Sequence, residues 1–162
     1  MAEIRNIAGL DKLAKALHQI PINVALRQMN GPVSRAAALV RNSARAKAAV
    51  YRGTVGKNHP PPGTLKKSIA VTRERKASST ELISRFLVTV RSGKKYQKVG
   101  KKGINKDAFY WKFVEFGSAR NRPSPFMRPA FEQEKEKALR VIIEGIATGV
   151  QAEARNSAWG RP

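Results

Sequence analysis

Phe109-Tyr-Trp-Lys-Phe-Val-Glu-Phe-Gly-Ser-Ala-Arg-Asn-Arg-Pro-Ser-Pro-Phe-Met-Arg-Pro-Ala-Phe131 is the stretch on which the reading of this chain turns. Aromatic residues crowd its first half, Gly117 ends the apolar run, and Pro123, Pro125 and Pro129 lead into a charged helical pattern. Aromatic side chains bury large areas and order their surroundings, while glycine widens and proline narrows the choices of the backbone. The combination predicts a fixed joint rather than a flexible linker. Its internal periodicity leaves two readings open. Tyr110, Phe113 and Val114 fit a helical turn, whereas Tyr110, Lys112, Val114 and Phe116 fit one side of a strand. Glu115 is the isolated acid of the run, expected as a surface carboxylate or as the ion-pair partner of Arg120 or Arg128. It lacks the second carboxylate or histidine that most hydrolytic sites use, so no catalytic role is assigned to it.

Beyond the joint the chain reads as a long helix. Phe131, Ala138, Leu139, Ile142, Ile143 and Ile146 give an apolar stripe, and Glu132, Glu134, Lys135, Glu136 and Lys137 occupy the first turns, where acids suit the positive helix end. Arg128 is placed as a cap or as the partner of Glu132. Gly145 and Gly149 are expected to weaken the far end, and residues 156–162 to form a flexible tail whose Trp159 could anchor on a neighbouring subunit.

Before the joint come two strand patterns. Ser68–Arg73 alternates with Ile69 and Val71 on one face, and Leu82–Val90 alternates through Phe86, Val88 and Val90. With a turn-like linker over 76–80 between them, they are expected to pair antiparallel. The segment 91–107 that follows is rich in glycine and lysine; Lys94, Lys95, Lys98, Lys101, Lys102 and Lys106 could contact an acidic protein or a phosphate backbone, with Tyr96 available for stacking.

The N-terminal half reads as helical. Leu10, Leu13, Ala14 and Leu17 mark a short amphipathic helix ending near Gln19, and Pro21–Met29 continues in helical style. Asn30-Gly31-Pro32 interrupts the pattern, leaving either a kink or a new helix with Pro32 in its first turn. From Pro32 to about Val50, Val33, Ala37, Val40, Ala44 and Ala48 form a narrow stripe of small side chains suited to close packing on the sheet. Arg41 and Arg45 are expected to face outward together, either as solvated charges or against an acidic partner. A loop spans 51–63; its Gly53-Thr-Val-Gly-Lys57 has the wrong spacing for a phosphate-binding loop. His18 and His59 are too far apart in sequence to suggest a metal site.

Composition narrows the class. The 162 residues suit one domain with a real core, expected over 1–155, and 41% hydrophobic content argues against global disorder. Against 11 Asp plus Glu stand 32 Lys plus Arg, a net charge of +21 and a sequence pI of about 11.2. No acid occurs between Asp11 and Glu74, so the helices there cannot neutralise themselves with internal ion pairs. Such an imbalance calls for a negative partner. Cysteine is absent, which removes disulfides and thiolate metal sites. No run approaches a membrane span, and the first residues lack the apolar core of a signal peptide, so a soluble protein made in the cytoplasm, without cofactors, is expected.

Phe113-Val-Glu-Phe-Gly-Ser118 followed by Pro125-Phe-Met-Arg-Pro-Ala130 resembles the paired motif of the tail-completion, or head-to-tail joining, proteins of long-tailed bacteriophages. Gly9-Leu10 before a Leu-rich helix, Val40-Arg-Asn-Ser-Ala-Arg45, and Gly63-Thr-Leu-Lys-Lys-Ser-Ile69 before the first strand follow in the same order as in such proteins. Ser118 stands where threonine is usual and Met127 where leucine is. The resemblance marks Phe113, Glu115, Phe116, Gly117, Pro125, Phe126, Arg128 and Pro129 as structural signature residues. It implies an α+β fold, with a small antiparallel sheet packed against an N-terminal helical segment and a long C-terminal helix. It further implies a non-enzymatic virion protein that forms a ring in the phage neck and joins the capsid connector to the tail. Its partners would be other copies of itself, the connector, the tail tube or terminator proteins, and duplex DNA passing transiently through the ring, with no membrane. A tail-terminator role and a sequence-independent nucleic-acid-binding role are the alternatives.

Overall fold

A computed structural model describes residues 22–50, 60–74, 83–96, 107–119 and 121–158. The expected helix over 10–19, the linker over 76–80, Trp159 and Lys98, Lys101, Lys102 and Lys106 lie outside them. The elements are helix α1 (Ile22–Lys47), a short helix α2 (Thr64–Ser68), strands β1 (Ile69–Arg73) and β2 (Phe86–Val90), a 3-10 turn (Lys94–Tyr96), helix α3 (Trp111–Phe116) and helix α4 (Met127–Ala158). The fold class is α+β, as the sequence predicts.

Two compact units share these elements. In the first, Ala25, Met29, Ile142, Ile146 and Val150 bring the early turns of α1 against the later turns of α4. Here two expectations are corrected. Of the two readings of Asn30-Gly31-Pro32, the new helix starting at Pro32 is excluded, because α1 runs from Ile22 to Lys47 with Pro32 inside it. An interior proline forfeits one helical hydrogen bond and costs about 3 kcal/mol. Packing offsets that cost: Pro32 is buried, and a Cβ built on Gly145 would lie only 2.6 Å from its Cγ. Gly145 is therefore a close-approach position rather than a weak one, and Gly149, facing Gln28, is another. Ser84 donates to Asn30 Oδ1 at 2.8 Å in the same unit, and Arg85 pairs with Glu74 at 3.1 Å.

The second unit holds the larger core. Ala44, Ala48, Leu65, Ile69, Ala108, Phe126 and Ala130 are buried together, with Val88, Val90, Tyr110 and Trp111 packed around them. The small-residue stripe thus reaches the sheet through Ala44 of α1 and Ala48 just past its end, as their spacing suggests. Glu74 N–H donates to Arg85 O and Arg91 N–H to Ser68 O, which sets Ile69 opposite Val90, Val71 opposite Val88 and Arg73 opposite Phe86. This antiparallel register puts Ile69, Val88 and Val90 on the core face. Both strands are shorter than the sequence pattern, since Ser68 closes α2 and β2 begins only at Phe86. Fully burying Leu65, Ile69 and Phe126 contributes about 1.5–3 kcal/mol each.

Candidate functional site: a capped joint, an aromatic groove and a basic cleft

The joint resolves into a helix, a turn and a second helix, all within the second unit. Tyr110 opens α3, which Gly117 closes at φ +80°, donating its N–H to Phe113 O at 3.0 Å. That left-handed φ excludes most side chains, and a Cβ there would meet Pro123 Cδ at 3.0 Å and Asn121 O at 3.2 Å. Ser118 and Asn121 then exchange backbone hydrogen bonds across a tight turn, and Ser124 N–H donates to Val114 O at 2.8 Å, folding the proline segment back along α3. The helical reading of this stretch is the correct one.

Glu115 holds the two halves together. It is buried, 7% exposed. Its Oε2 accepts the N–H of Phe126 at 2.8 Å and of Met127 at 3.0 Å, and its Oε1 that of Arg128 at 3.2 Å. A helix start leaves its first N–H groups without intrahelical partners. In α4 those are Phe126, Met127 and Arg128, because Pro129 has no N–H and Ala130 already donates to Phe126 O. One carboxylate from an upstream helix therefore satisfies the whole terminus and places its charge at the positive end of the helix dipole. This corrects the expectation of a surface or Arg128-paired Glu115. Arg128 presents its backbone to Glu115 while its side chain is exposed, and Glu132 pairs with Lys135 at 2.6 Å instead. Neither acid nor base of its own stands in the first turn of α4 except Arg128. Phe126 is fully buried, Pro125 is exposed and Pro129 half-buried.

The joint frames a groove of about 530 Å³. Val50, Phe109 and Phe113 line it and are 41%, 50% and 53% exposed, with Arg122 also in its wall. Phe116, on the same short helix, is 68% exposed. Phe109 stands edge-on to Tyr110, their centroids 5.7 Å apart. Burial holds the Tyr110 phenol above its ordinary pKa, with a hydrogen bond to the Leu65 backbone acting the other way. Of the aromatics of the joint, Phe126 goes to the core, while Phe109, Phe113 and Phe116 stay outside it. Phe131, expected in the α4 stripe, is likewise 54% exposed.

The basic residues part company. Arg45 does not face outward with Arg41: its Nε and Nη2 donate to Ile69 O at 3.0 and 2.7 Å, tying α1 to the start of β1. Arg41 instead holds the neighbouring Asn42 Oδ1 at 3.1 and 2.9 Å. Arg45, Gly63, Lys66 and Lys67 line an open cleft of about 500 Å³ that the sequence reading did not single out. The only hint was adjacency, Lys66-Lys67 just before a strand whose first carbonyl is bound by Arg45. Lys94 and Lys95 are exposed on the 3-10 turn, and Lys95 Nζ sits 5.0 Å from the Tyr96 ring centroid, so that ring already carries a cation. The turn is anchored at its base, where Gly93 N–H donates to the buried Asp107 Oδ1 at 2.9 Å.

Among the described residues, no group of three or more His, Cys, Asp or Glu could hold a metal ion, and no helix is long and apolar enough to cross a membrane. No curated protein and no solved structure matches the chain. A family model does, described as "Bacteriophage HK97-gp10, putative tail-component", and it covers residues 10–117, from the Leu-rich N-terminal segment through the Glu115 helix to Gly117. With two acids of the second unit committed to binding backbone N–H groups, aromatic and basic surfaces left open, and that match over most of its length, the chain belongs to the HK97-gp10-like family of bacteriophage tail components.

Proposed function

We propose that this protein is a non-enzymatic structural component of the phage neck, assembling as a homo-oligomeric ring that joins the capsid connector to the tail. Membership in a tail-component family carries this reading. The chemistry of the described residues agrees with it: Glu115 is spent on a helix terminus, and Asp107 on a loop. The exposed aromatics around the joint offer the kind of side chain that dominates protein interfaces. Electron microscopy of phage particles lacking the protein tests the role. Loss of a joiner leaves filled heads beside free tails of normal length, restored by adding the purified protein. Overlong tails would instead assign it to tail termination, and fully joined particles would remove it from the neck.

A second reading, sequence-independent contact with duplex DNA, is favoured by the cleft of Arg45, Lys66 and Lys67. Residues 37–72 and 87–106 contain lysines and arginines but no Asp or Glu. An arginine fixed by a backbone carbonyl beside two lysines suits phosphate oxygens. Replacing Lys66 and Lys67 by alanine is expected to reduce the salt slope of duplex binding by about 2, one for each lost phosphate contact. Equal loss on replacing Lys137 and Arg140 would show generic charge rather than a site.

A further inference from the structure

The basic surface of the second unit does not end at Lys67. Arg91 N–H donates to Ser68 O at 2.9 Å, which sets exposed Arg91, just past the end of β2, across from the residue that follows Lys66 and Lys67. Three and four residues farther on, exposed Lys94 and Lys95 stand on the 3-10 turn. Strand pairing thus brings two acid-free stretches, 37–72 and 87–106, together at one end of the sheet. Both are tied down there. Arg45 Nε and Nη2 hold Ile69 O, where β1 begins, and Asp107 Oδ1 accepts the N–H of Gly93 at 2.9 Å, where the turn begins. Asp107 is buried and is followed directly by Ala108 of the core, so the turn is anchored to the core itself.

We propose that this end of the sheet is one continuous track for the phosphodiester backbone of duplex DNA, with Lys66 and Lys67 on one arm and Arg91, Lys94 and Lys95 on the other, and that Asp107 is a positioning residue that holds the second arm in place. This rests on the duplex-DNA reading above and extends its site from the cleft across to β2. The make-up of the track selects phosphate over an acidic protein. Interfaces between proteins centre on apolar and aromatic anchors and are depleted in lysine. Here the cations are interspersed with Gly63, Ser68, Ser92 and Gly93, and the one ring, Tyr96, already lies against Lys95. Gly63 and Gly93 both take positive φ, +79° and +111°, and a Cβ built on either meets no atom within 4 Å, so the approach to each arm is open. Counting charge alone, an acid beside such a track weakens its hold on DNA; as the anchor of the turn, Asp107 strengthens it.

The test uses the full-length chain and a short duplex of mixed sequence, followed by fluorescence anisotropy across a salt series. Replacing Arg91, Lys94 and Lys95 together by alanine is expected to lower the salt slope by about 3, and adding Lys66→Ala and Lys67→Ala to lower it by about 2 more, one for each lost phosphate contact. Asp107→Ala and Asp107→Asn change the net charge equally, but asparagine keeps an oxygen that can accept the Gly93 N–H and alanine does not. Asp107→Ala is expected to bind about tenfold more weakly than Asp107→Asn, the size of one lost charge-assisted hydrogen bond. Circular dichroism monitors folding, and the three exposed cations of the second arm test the track whether or not Asp107→Ala folds. Equal affinity of the two folded Asp107 variants would reduce the surface to generic charge and remove Asp107 from it. An unchanged slope on loss of Arg91, Lys94 and Lys95 would confine contact to the cleft, so that the track is wrong and the duplex-DNA reading stands. If the unmodified protein binds no duplex even at low salt, or binds polyglutamate as tightly as the duplex, that reading falls and the track with it.

Discussion

At the scale of single residues, Glu115 decides more than any other side chain. Its two oxygens accept three backbone N–H groups in a buried setting, where charge-assisted bonds are strong and unmet donors costly. Glu115→Ala is expected to destabilise the fold by about 3 kcal/mol, combining a lost cap with stranded donors. In thermal unfolding that corresponds to a fall of roughly 6–12 °C for a chain of this size. Glu115→Gln keeps one acceptor oxygen but turns an amide toward N–H groups, so roughly half the loss is expected. Gly117→Ala is expected to cost about 2 kcal/mol in urea unfolding, since it adds both left-handed strain and a Cβ against Pro123. The chain announced Glu115 as the lone acid in an aromatic run, but not its task. Its partners lie eleven to thirteen residues ahead, beyond the reach of any helical or strand period.

Among elements, legibility follows the range of the physics. The strands alternate with period two, so their core face, Ile69 with Val88 and Val90, could be read from spacing alone. The small stripe of α1 could be read for the same reason, down to Ala44 and, just past the helix end, Ala48. Local rules failed where tertiary packing overrode them. Pro32 looks like a break because proline costs a helix a bond, and only the neighbouring Gly145 explains why α1 continues through it. Arg45 looks solvated because arginines on helices usually are, and nothing nearby in sequence points to Ile69 O. The crossing can be tested by a double-mutant cycle. Gly145→Ala should gain about 1 kcal/mol of helix propensity, yet its Cβ would overlap Pro32, an overpacking cost of about 1–3 kcal/mol. Net destabilisation is expected for Gly145→Ala alone, and its relief when Pro32→Ala is added. Coupling near zero in denaturant unfolding would mean that the two helices do not press together at this point.

For the whole molecule, the dominant fact is a charge of +21, which the ion pairs of Glu74 with Arg85 and of Glu132 with Lys135 leave unchanged, since each joins one charge of either sign. Copies of such a chain repel at long range, and that repulsion is screened beyond about 8 Å at physiological ionic strength. Contact between copies through the exposed aromatics of the joint would act at shorter range and draw on apolar burial, which salt does not weaken. Phosphate contacts behave oppositely, because each releases counterions whose entropy falls as salt rises. The two activities should therefore separate along one axis. Between 50 and 200 mM salt, self-association followed by sedimentation velocity is expected to hold or strengthen. Over the same range, affinity for a short duplex, followed by fluorescence anisotropy, is expected to fall by about 10³ or more if at least six phosphates are engaged. Oligomers that dissolve in step with DNA release would mean that nucleic acid, rather than protein contact, holds the copies together. DNA affinity indifferent to salt would mean that the basic face is not meeting phosphate, and would point it toward the acidic surfaces of other proteins.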